Sequence, residues 1–256
     1  MRINVRRHMV QVLCLLATPV VPASQAMAAP VSLVNPTAQF CQTNFPITEA
    51  FDSSLSPTDG WAIDPFEGND ITAIVKTASD VGGSGETVIR FRLYMYWGDT
   101  HTIGKFRLSA TTSSRSTYGQ GATCNDATPA GSAAWTVLYP QSVTSAGGQT
   151  LTVQPDGSVL ASGGNPDTDV VTFVVTTQSQ GITGFRLETL ADASLPSNGP
   201  GRSPSNGNFV LTELLIDAEH LTGVPTLGAA AMALMALLLA GAGMVRIRRK
   251  QRPRKT

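Results

Sequence analysis

The sequence has few of the side chains on which most enzymes depend. Among 256 residues there are three histidines and three cysteines, and charged residues make up only 14% of the chain. The central part, residues 29–223, keeps only His101 and His220, and it contains no HExxH, CxxC, GxSxG or phosphate-loop pattern. These absences argue against a metal site built from histidine or cysteine, and against the common hydrolase and nucleotide-binding classes.

Negative charge is missing from both ends of the chain. The formal net charge of the whole sequence is zero, although its central part is acidic. All 18 acidic residues lie between Glu49 and Glu219, whereas ten of the 18 basic residues lie in the first seven positions or after Val245. The central part therefore has eight basic residues and a formal net charge of −10. Because such a surface repels a phosphate backbone, nucleic acid is not an expected partner.

The N-terminal segment has the pattern of a secretory signal. Basic residues precede an apolar run from about Met9 to Val21, and Ala26-Met27-Ala28 supplies the small residues of a cleavage site. We predict a signal peptide at residues 1–28, followed by an exported chain.

Removal of this leader leaves Cys41 and Cys124 as the cysteines of the exported chain. In an oxidising compartment two cysteines can form one intramolecular disulfide. On the chain-entropy model, closing a loop of this length stabilises the fold by about 4 to 5 kcal/mol. Two separate buried thiols, or a link between two chains, are the alternatives.

Strand signals fill the chain between Pro30 and Glu219. Short segments in which apolar and polar residues alternate are separated by Gly, Pro, Asn, Asp and Ser, and no long segment has helical periodicity. The clearest strand, 87–97, places five apolar side chains on the face that we expect to be buried: Ile89, Phe91, Leu93, Met95 and Trp97. Eight more strands are predicted at residues 71–76, 103–110, 134–139, 150–154, 158–162, 170–177, 182–190 and 209–217. Pro155-Asp156-Gly157 predicts a hairpin turn between two of them, and the whole pattern favours an all-β, antiparallel β-sandwich of the jelly-roll type.

Four segments of this region resemble a known module. They are GWAIDP (60–65), HTIGKFRLSAT (101–111), PDGSVLASGGNPDTD (155–169) and ITGFRLETLADASLPSNGPGRSPSNGNFVLTELLIDA (182–218). Together they are similar to the galactose-binding-like β-sandwich attached to planctomycete-type cytochrome c proteins. This resemblance implies a galactose-binding-like sandwich in the exported domain, residues 29–223.

The C-terminal segment, 224–256, combines a short motif, an apolar run and a basic end. Val224, Pro225, Thr226 and Leu227 form the motif, and residues 227–245 carry no charge over a length that can cross a bilayer as one helix. The segment resembles the IPTL-type (IPTL-CTERM) sorting signals that exosortases of Gram-negative bacteria process. This resemblance implies export across the inner membrane, anchoring with the basic end in the cytoplasm, processing near the motif, and delivery to the cell surface or extracellular matrix. A permanent transmembrane anchor is the alternative.

Carboxylates in one loop are candidate metal ligands. Asp167 and Asp169, with Asn165, offer the hard oxygen ligands that a structural calcium ion requires. A solvated turn explains these residues equally well, and no other cofactor is expected.

Candidate ligand-binding residues lie on the outward face of strand 87–97. Arg92, Tyr94 and Tyr96 could bind a sugar, because aromatic faces pack against sugar rings while fixed polar groups bind hydroxyls. Ordinary cross-strand pairing is the alternative. Arg202, in the loop NGPGRSPSNG, could bind an acidic sugar or could tie its loop to the sheet.

The sequence therefore favours a non-catalytic, surface-sorted protein that binds carbohydrate or another extracellular polymer. The first alternative is a structural envelope or matrix protein that contacts other proteins. A glycoside hydrolase ranks below both, since no carboxylate pair is singled out by the sequence.

Overall fold

The long regular elements of this protein are all strands. The computed structural model describes residues 28–121 and 123–221. Its strands are β1 (Ala29–Pro30), β2 (Leu33–Ala38), β3 (Trp61–Ala62), β4 (Ile71–Val81), β5 (Glu86–Met95), β6 (Lys105–Thr111), β7 (Thr136–Val137), β8 (Ser142–Ser145), β9 (Thr150–Val153), β10 (Val159–Ser162), β11 (Asp169–Thr177), β12 (Ile182–Thr189), β13 (Val210–Leu211) and β14 (Glu213–Leu221). Two short 3-10 helices, Ile47–Phe51 and Pro196–Asn198, lie in the connections.

The strands form two antiparallel sheets. The first has the order β1-β14-β5-β11-β8, and the second has the order β2-β4-β12-β6-β10-β9 with β7 also paired to β6. A small third pair joins β13 to β3. The predicted all-β antiparallel sandwich is confirmed.

The core lies between the inner faces of the two sheets, as the alternation in β5 predicts. Ile89, Phe91 and Leu93 are fully buried, and the ring of Phe91 meets those of Phe173 in β11 and Phe185 in β12 edge to face. The two Phe91 contacts have centroid distances of 5.8 and 5.2 Å. Because Phe185 belongs to the other sheet, this aromatic cluster joins the two layers, and each fully buried ring stabilises the fold by about 2 to 3 kcal/mol.

Several details differ from the predicted strands: β2 was not predicted, and the predicted strand 209–217 is divided into β13 and β14. Trp97 lies beyond the end of β5, because the chain turns through Gly98, Asp99 and Thr100, which all have positive φ. Its ring therefore leaves the core face and packs edge to face on Phe45 at 4.9 Å. The predicted strand 134–139 is reduced to the two residues of β7. Strand β8 was not predicted, because its sequence SVTS has no fully buried apolar residue.

Cys41 and Cys124 form the predicted intramolecular disulfide. Their Cα atoms are 5.5 Å apart and the bond closes a separation of 83 residues. It joins the chain just after β2 to the long loop that follows β6.

The two ends of the described chain meet at one edge of the first sheet. Ala29 in β1 pairs with Ala218 in β14, and β14 ends at Leu221. The described residues contain no helix that is long and apolar enough to cross a membrane. The predicted signal peptide, apart from Ala28, and the predicted transmembrane helix 227–245 lie outside the described residues.

Candidate functional site

Three of the four predicted ligand-binding residues lie together, Arg92 and Tyr94 on the outer face of β5 and Tyr96 just after its end. The rings of Tyr94 and Tyr96 meet edge to face, with centroids 5.6 Å apart. Arg92 Nη1 donates to the Tyr94 hydroxyl at 3.3 Å, and Arg92 Nη2 donates to the carboxylate of Asp217 in β14 at 2.7 Å. All four side chains are partly exposed, so this group, which we name the β5 cluster, presents aromatic edges, a hydroxyl and an ion pair at the surface.

A pocket of about 290 Å³ opens beside the β5 cluster and includes Arg92 in its wall. Glu213, which lies opposite Tyr94 in the ladder, lines the pocket and is only 1% exposed. Its carboxyl accepts a hydrogen bond from the backbone N–H of Ser53 at 2.7 Å. Burial raises the pKa of Glu213 to about 7, and the negative charge of Asp52 acts in the same direction. This carboxyl group can therefore either donate or accept a hydrogen bond near neutral pH.

One donor in the β5 cluster lacks a protein acceptor. Arg92 Nε is buried and has no hydrogen-bond partner among residues 28–121 and 123–221. A buried donor without a partner costs about 1 to 3 kcal/mol.

Sequence reasoning missed Glu213 and Asp217, although both lie within the predicted strand 209–217. The available signal was the position of Glu213, a single acidic residue inside an otherwise apolar stretch. An acidic residue at such a position is buried only if the surrounding structure supplies partners. The partners come from residues far away in the sequence: Ser53 donates to Glu213, and Arg92 donates to Asp217.

Arg202, the fourth predicted residue, is buried among backbone and side-chain acceptors. It is 8% exposed, and its guanidinium donates to the backbone oxygens of Gly163 and Gly164 at 2.9 and 2.7 Å and to Gln149 Oε1 at 2.5 Å. Burial lowers the pKa of Arg202, and the nearby charge of Asp169 opposes this effect. Of the two roles that the sequence left open, the contacts favour the one in which Arg202 ties its loop to the sheet.

The predicted calcium ligands have protein partners of their own. Asp169 is 2% exposed, and its carboxylate accepts hydrogen bonds of 2.6 to 2.7 Å from Ser145, Gln149 and two backbone N–H groups. Asn165 donates to the backbone oxygen of Arg202 at 2.8 Å. Asp167 alone among the three predicted ligands is exposed. Two of the three side chains are therefore already engaged in hydrogen bonds within the protein.

A different group of carboxylates converges beside the first 3-10 helix. Glu49, Asp52 and Asp59 each offer an oxygen, and these oxygens lie within 4.8 Å of one another. Burial and the negative charges of Asp59 and Asp52 raise the pKa of Glu49. Asp59 Oδ1 is buried without a hydrogen-bond partner in the described part of the chain. This geometry and chemistry fit a divalent cation with oxygen ligands, such as calcium.

Comparison with known proteins gives one match to a family model. Residues 222–249 match the IPTL-CTERM motif. The IPTL-CTERM match begins one residue after β14 ends and contains the predicted motif 224–227. The prediction of an IPTL-type signal at the C-terminus is therefore confirmed, and it accounts for 28 of the 256 residues.

Three solved structures are similar in fold to the domain that precedes the IPTL-CTERM motif. A family 32 carbohydrate-binding module of Clostridium perfringens NanJ, in complex with galactose, has a TM-score of 0.43 and 10% identity, and the match covers 75% of this chain and 99% of the module. A structure of the Streptococcus pneumoniae β-galactosidase BgaA has a TM-score of 0.40 and 14% identity, and the match covers 72% of this chain and 89% of the other. The third structure is CBM32-3 from a Clostridium perfringens family 31 glycoside hydrolase. Its TM-score is 0.39 at 11% identity, and the match covers 72% of this chain and 90% of the other. Among curated proteins no sequence matches this chain.

Proposed function

We propose that this protein is an exported, surface-sorted β-sandwich that binds carbohydrate or another extracellular polymer without catalysing a reaction. The observation that supports the proposal best is the β5 cluster with its adjoining pocket. Tyr94 and Tyr96 supply aromatic surface, Arg92 supplies a partly exposed guanidinium, and Glu213 and Asp217 supply carboxyl groups. Sugar recognition combines these elements, because C–H faces pack on aromatic rings while hydroxyls bind fixed polar groups.

The position of the β5 cluster suits a protein held by its C-terminus. In our proposal residues 1–28 are a signal peptide, 29–223 are the exported domain, and 224–256 are a sorting signal that anchors the chain through a transmembrane helix. Tyr94 pairs with Glu213 at the start of β14, whereas the anchor follows Leu221 at its end. At about 3.3 Å per residue, the cluster lies roughly 26 Å along the strand from the anchor. An anchored molecule would present the cluster away from the bilayer.

The sorting signal supplies the remaining partners in this proposal. The membrane holds the chain during export, and an exosortase-type enzyme of a Gram-negative cell cleaves it near Val224. The released domain, which carries ten more acidic than basic residues, then lies on the cell surface or in the extracellular matrix.

In our proposal the domain binds one structural calcium ion. Glu49, Asp52 and Asp59 would hold it beside the first 3-10 helix, with Asp59 Oδ1 gaining the partner that the protein does not supply. A divalent cation there would offset the mutual repulsion of three carboxylates and fix the segment that covers Glu213.

Retention on immobilised polysaccharides tests the proposed function. Protein recovered from the cell envelope is applied to a panel of neutral and acidic polysaccharides, once with calcium and once with a chelator. We expect selective retention on at least one polymer. Absence of retention under both conditions, together with crosslinking to neighbouring envelope proteins, would support the structural alternative instead.

A further inference from the structure

A second pocket, remote in sequence from the β5 cluster, has an aromatic floor. Phe40 and Phe66 stack with ring centroids 4.1 Å apart and an interplanar angle of 28°. Phe66 is 46% exposed, although most large apolar side chains of the domain are buried. The pocket above these rings has a volume of about 500 Å³, within the range of about 300 to 1,000 Å³ that is usual for small-ligand sites.

The walls of the pocket are fixed by covalent and backbone bonds. One wall follows β2, the other belongs to the loop after β6, and the disulfide between Cys41 and Cys124 joins them. The backbone of Ala38 also bonds to this loop at both its N–H and its oxygen, at 2.8 and 3.1 Å. The backbone oxygen of Phe40 accepts a hydrogen bond from Trp61 Nε1 at 3.0 Å. A ligand would therefore meet a pocket that is already formed, which lowers the entropy cost of binding.

Hydrogen-bonding side chains surround the aromatic floor. Four of them line the pocket: Gln39, Asn69, Asp70 and Asn125. Gln39 Oε1 accepts from the backbone of Thr72 at 3.3 Å, which leaves the two protons of its Nε2 for another acceptor. Asp70 Oδ1 accepts from the backbone of Ala191 at 2.8 Å, which leaves Oδ2 as an acceptor for a ligand hydroxyl. The rim thus offers both donors and acceptors.

The charge of the pocket selects against anions. Asp70 carries the only formal charge among its described lining residues, and none of these residues is cationic. A phosphate, a sulfate or an acidic sugar would meet this negative group with no cation in the lining, since Arg107, whose charge interacts with that of Asp70, lies outside the pocket. The aromatic floor, in turn, requires a ligand with a flat apolar face.

We propose that the pocket over Phe40 and Phe66 is a second binding site, specific for an uncharged sugar residue. The C–H face of the sugar ring packs on the exposed ring of Phe66. Its hydroxyls bind the amides of Gln39 and Asn125, the amide oxygen of Asn69, whose nitrogen already donates to the backbone, and the carboxylate of Asp70.

This site adds to the proposed function, because it is separate from the β5 cluster. The β5 cluster lies on the outer face of the first sheet, whereas Gln39 and Ile71 place the second pocket beside β2 and β4 of the other sheet. Two sites on different sheets let one molecule hold two polymer segments, and their combined affinity exceeds that of either site alone.

Affinity electrophoresis of the full-length protein tests the second site. The gels contain a galactan, a xylan, a β-glucan or, as the acidic comparison, polygalacturonate. Phe66→Ala is expected to weaken binding to at least one neutral polymer about tenfold, through loss of the stacking surface. Phe66→Trp keeps a flat ring and should keep the affinity. Tyr139→Ala removes an aromatic side chain that is 56% exposed elsewhere on the surface, and should change nothing.

Two further variants keep the result unambiguous. Phe66→Leu retains apolar volume without a flat ring, so it should fold normally, as judged by its thermal unfolding, and still lose affinity. Tyr94→Ala impairs only the β5 cluster, so an effect of Phe66→Ala without an effect of Tyr94→Ala would support the second site while contradicting the first. The second site is overturned if no neutral polymer is bound, or if Phe66→Ala and Phe66→Leu bind every polymer like the unmodified protein.

Discussion

Arg202 and Asp169 are joined through a single side chain, the amide of Gln149. Arg202 Nη1 donates to Gln149 Oε1, and Gln149 Nε2 donates to Asp169 Oδ2 at 2.6 Å. All three residues are at most 8% exposed. Two opposite charges in the interior are thus connected through an amide and make no direct contact. The bonds hold together the start of β11, the residue before β9 and the loop of Arg202.

Removal of the Arg202 guanidinium should destabilise the fold, because it leaves the buried oxygens that accept its hydrogen bonds without partners. We expect Arg202→Ala to lower the free energy of unfolding by about 3 kcal/mol, as measured by urea denaturation. Arg202→Lys should also destabilise, since an ammonium group cannot reproduce the fork that reaches Gly163 and Gly164. Arg90→Ala, at an exposed position, is the matched control. Wild-type stability of Arg202→Ala combined with loss of polymer binding would instead assign Arg202 to a ligand site.

Asp192 should make stability depend on pH in the acidic range. Lys105 Nζ donates to its carboxylate at 2.9 Å, and Ser194 donates through both its backbone and its hydroxyl. These bonds lower the pKa of Asp192 from 3.8 to about 2. Because the folded pKa lies below the unfolded one, the stabilisation is complete above pH 3.8 and is lost as the pH falls towards 2.

Asp192→Asn should therefore lower the free energy of unfolding by about 2 kcal/mol at neutral pH, with a smaller difference as the pH approaches 2. Denaturation curves at several pH values measure this effect. Asp99→Asn, at an exposed position, serves as the control. A constant difference between Asp192→Asn and the unmodified protein at every pH would contradict the assignment.

Calcium should stabilise the domain through the carboxylates beside the first 3-10 helix. At a concentration of calcium about 100 times its dissociation constant, the gain is about 2.7 kcal/mol and should raise the unfolding temperature. Asp52→Asn and Asp59→Asn should abolish this response, whereas Asp167→Asn should retain it. If calcium fails to raise the unfolding temperature of Asp167→Asn alone, the ion binds in the loop of Asn165, Asp167 and Asp169 that the sequence suggested.

The C-terminal sorting signal predicts a shortened mature protein. Intact-mass analysis of protein from the cell surface should find chains that lack the segment after about Val224. A motif variant such as Pro225→Ala should accumulate in the membrane with its tail intact. Recovery of surface chains that end at Thr256 would exclude processing and favour a permanent anchor.

The sequence was sufficient for the sandwich and for part of the β5 cluster. Period-2 alternation predicted the inward face of β5, and therefore also the outward position of Arg92, Tyr94 and Tyr96. It could not predict Asp217 as the partner of Arg92, because that pairing depends on which strands are neighbours in the sheet. The contacts of Arg202 could not be predicted either. Its acceptors lie in loops, and the alternation of apolar and polar residues does not determine the path of a loop.

The carboxylates of Glu49, Asp52 and Asp59 illustrate the same limit for a metal site. Glu49 lies within the first 3-10 helix, Asp52 caps its end, and Asp59 follows after a segment that begins with Ser53 at a positive φ of 68°. The spacing of these residues in the sequence does not show that their oxygens meet. The sequence instead suggested Asn165, Asp167 and Asp169, which are close together in one loop. In the folded chain Asp169 uses its carboxylate to bind backbone and side-chain donors.

The most direct test of the proposed function compares polymer binding by Tyr94→Ala and Tyr139→Ala. Both substitutions remove one surface tyrosine, but only Tyr94 belongs to the β5 cluster. Isothermal titration with the polysaccharide that retains the unmodified protein should give an affinity about tenfold lower for Tyr94→Ala and unchanged for Tyr139→Ala. Equal affinities for the two variants, with both folded, would contradict carbohydrate binding at the β5 cluster.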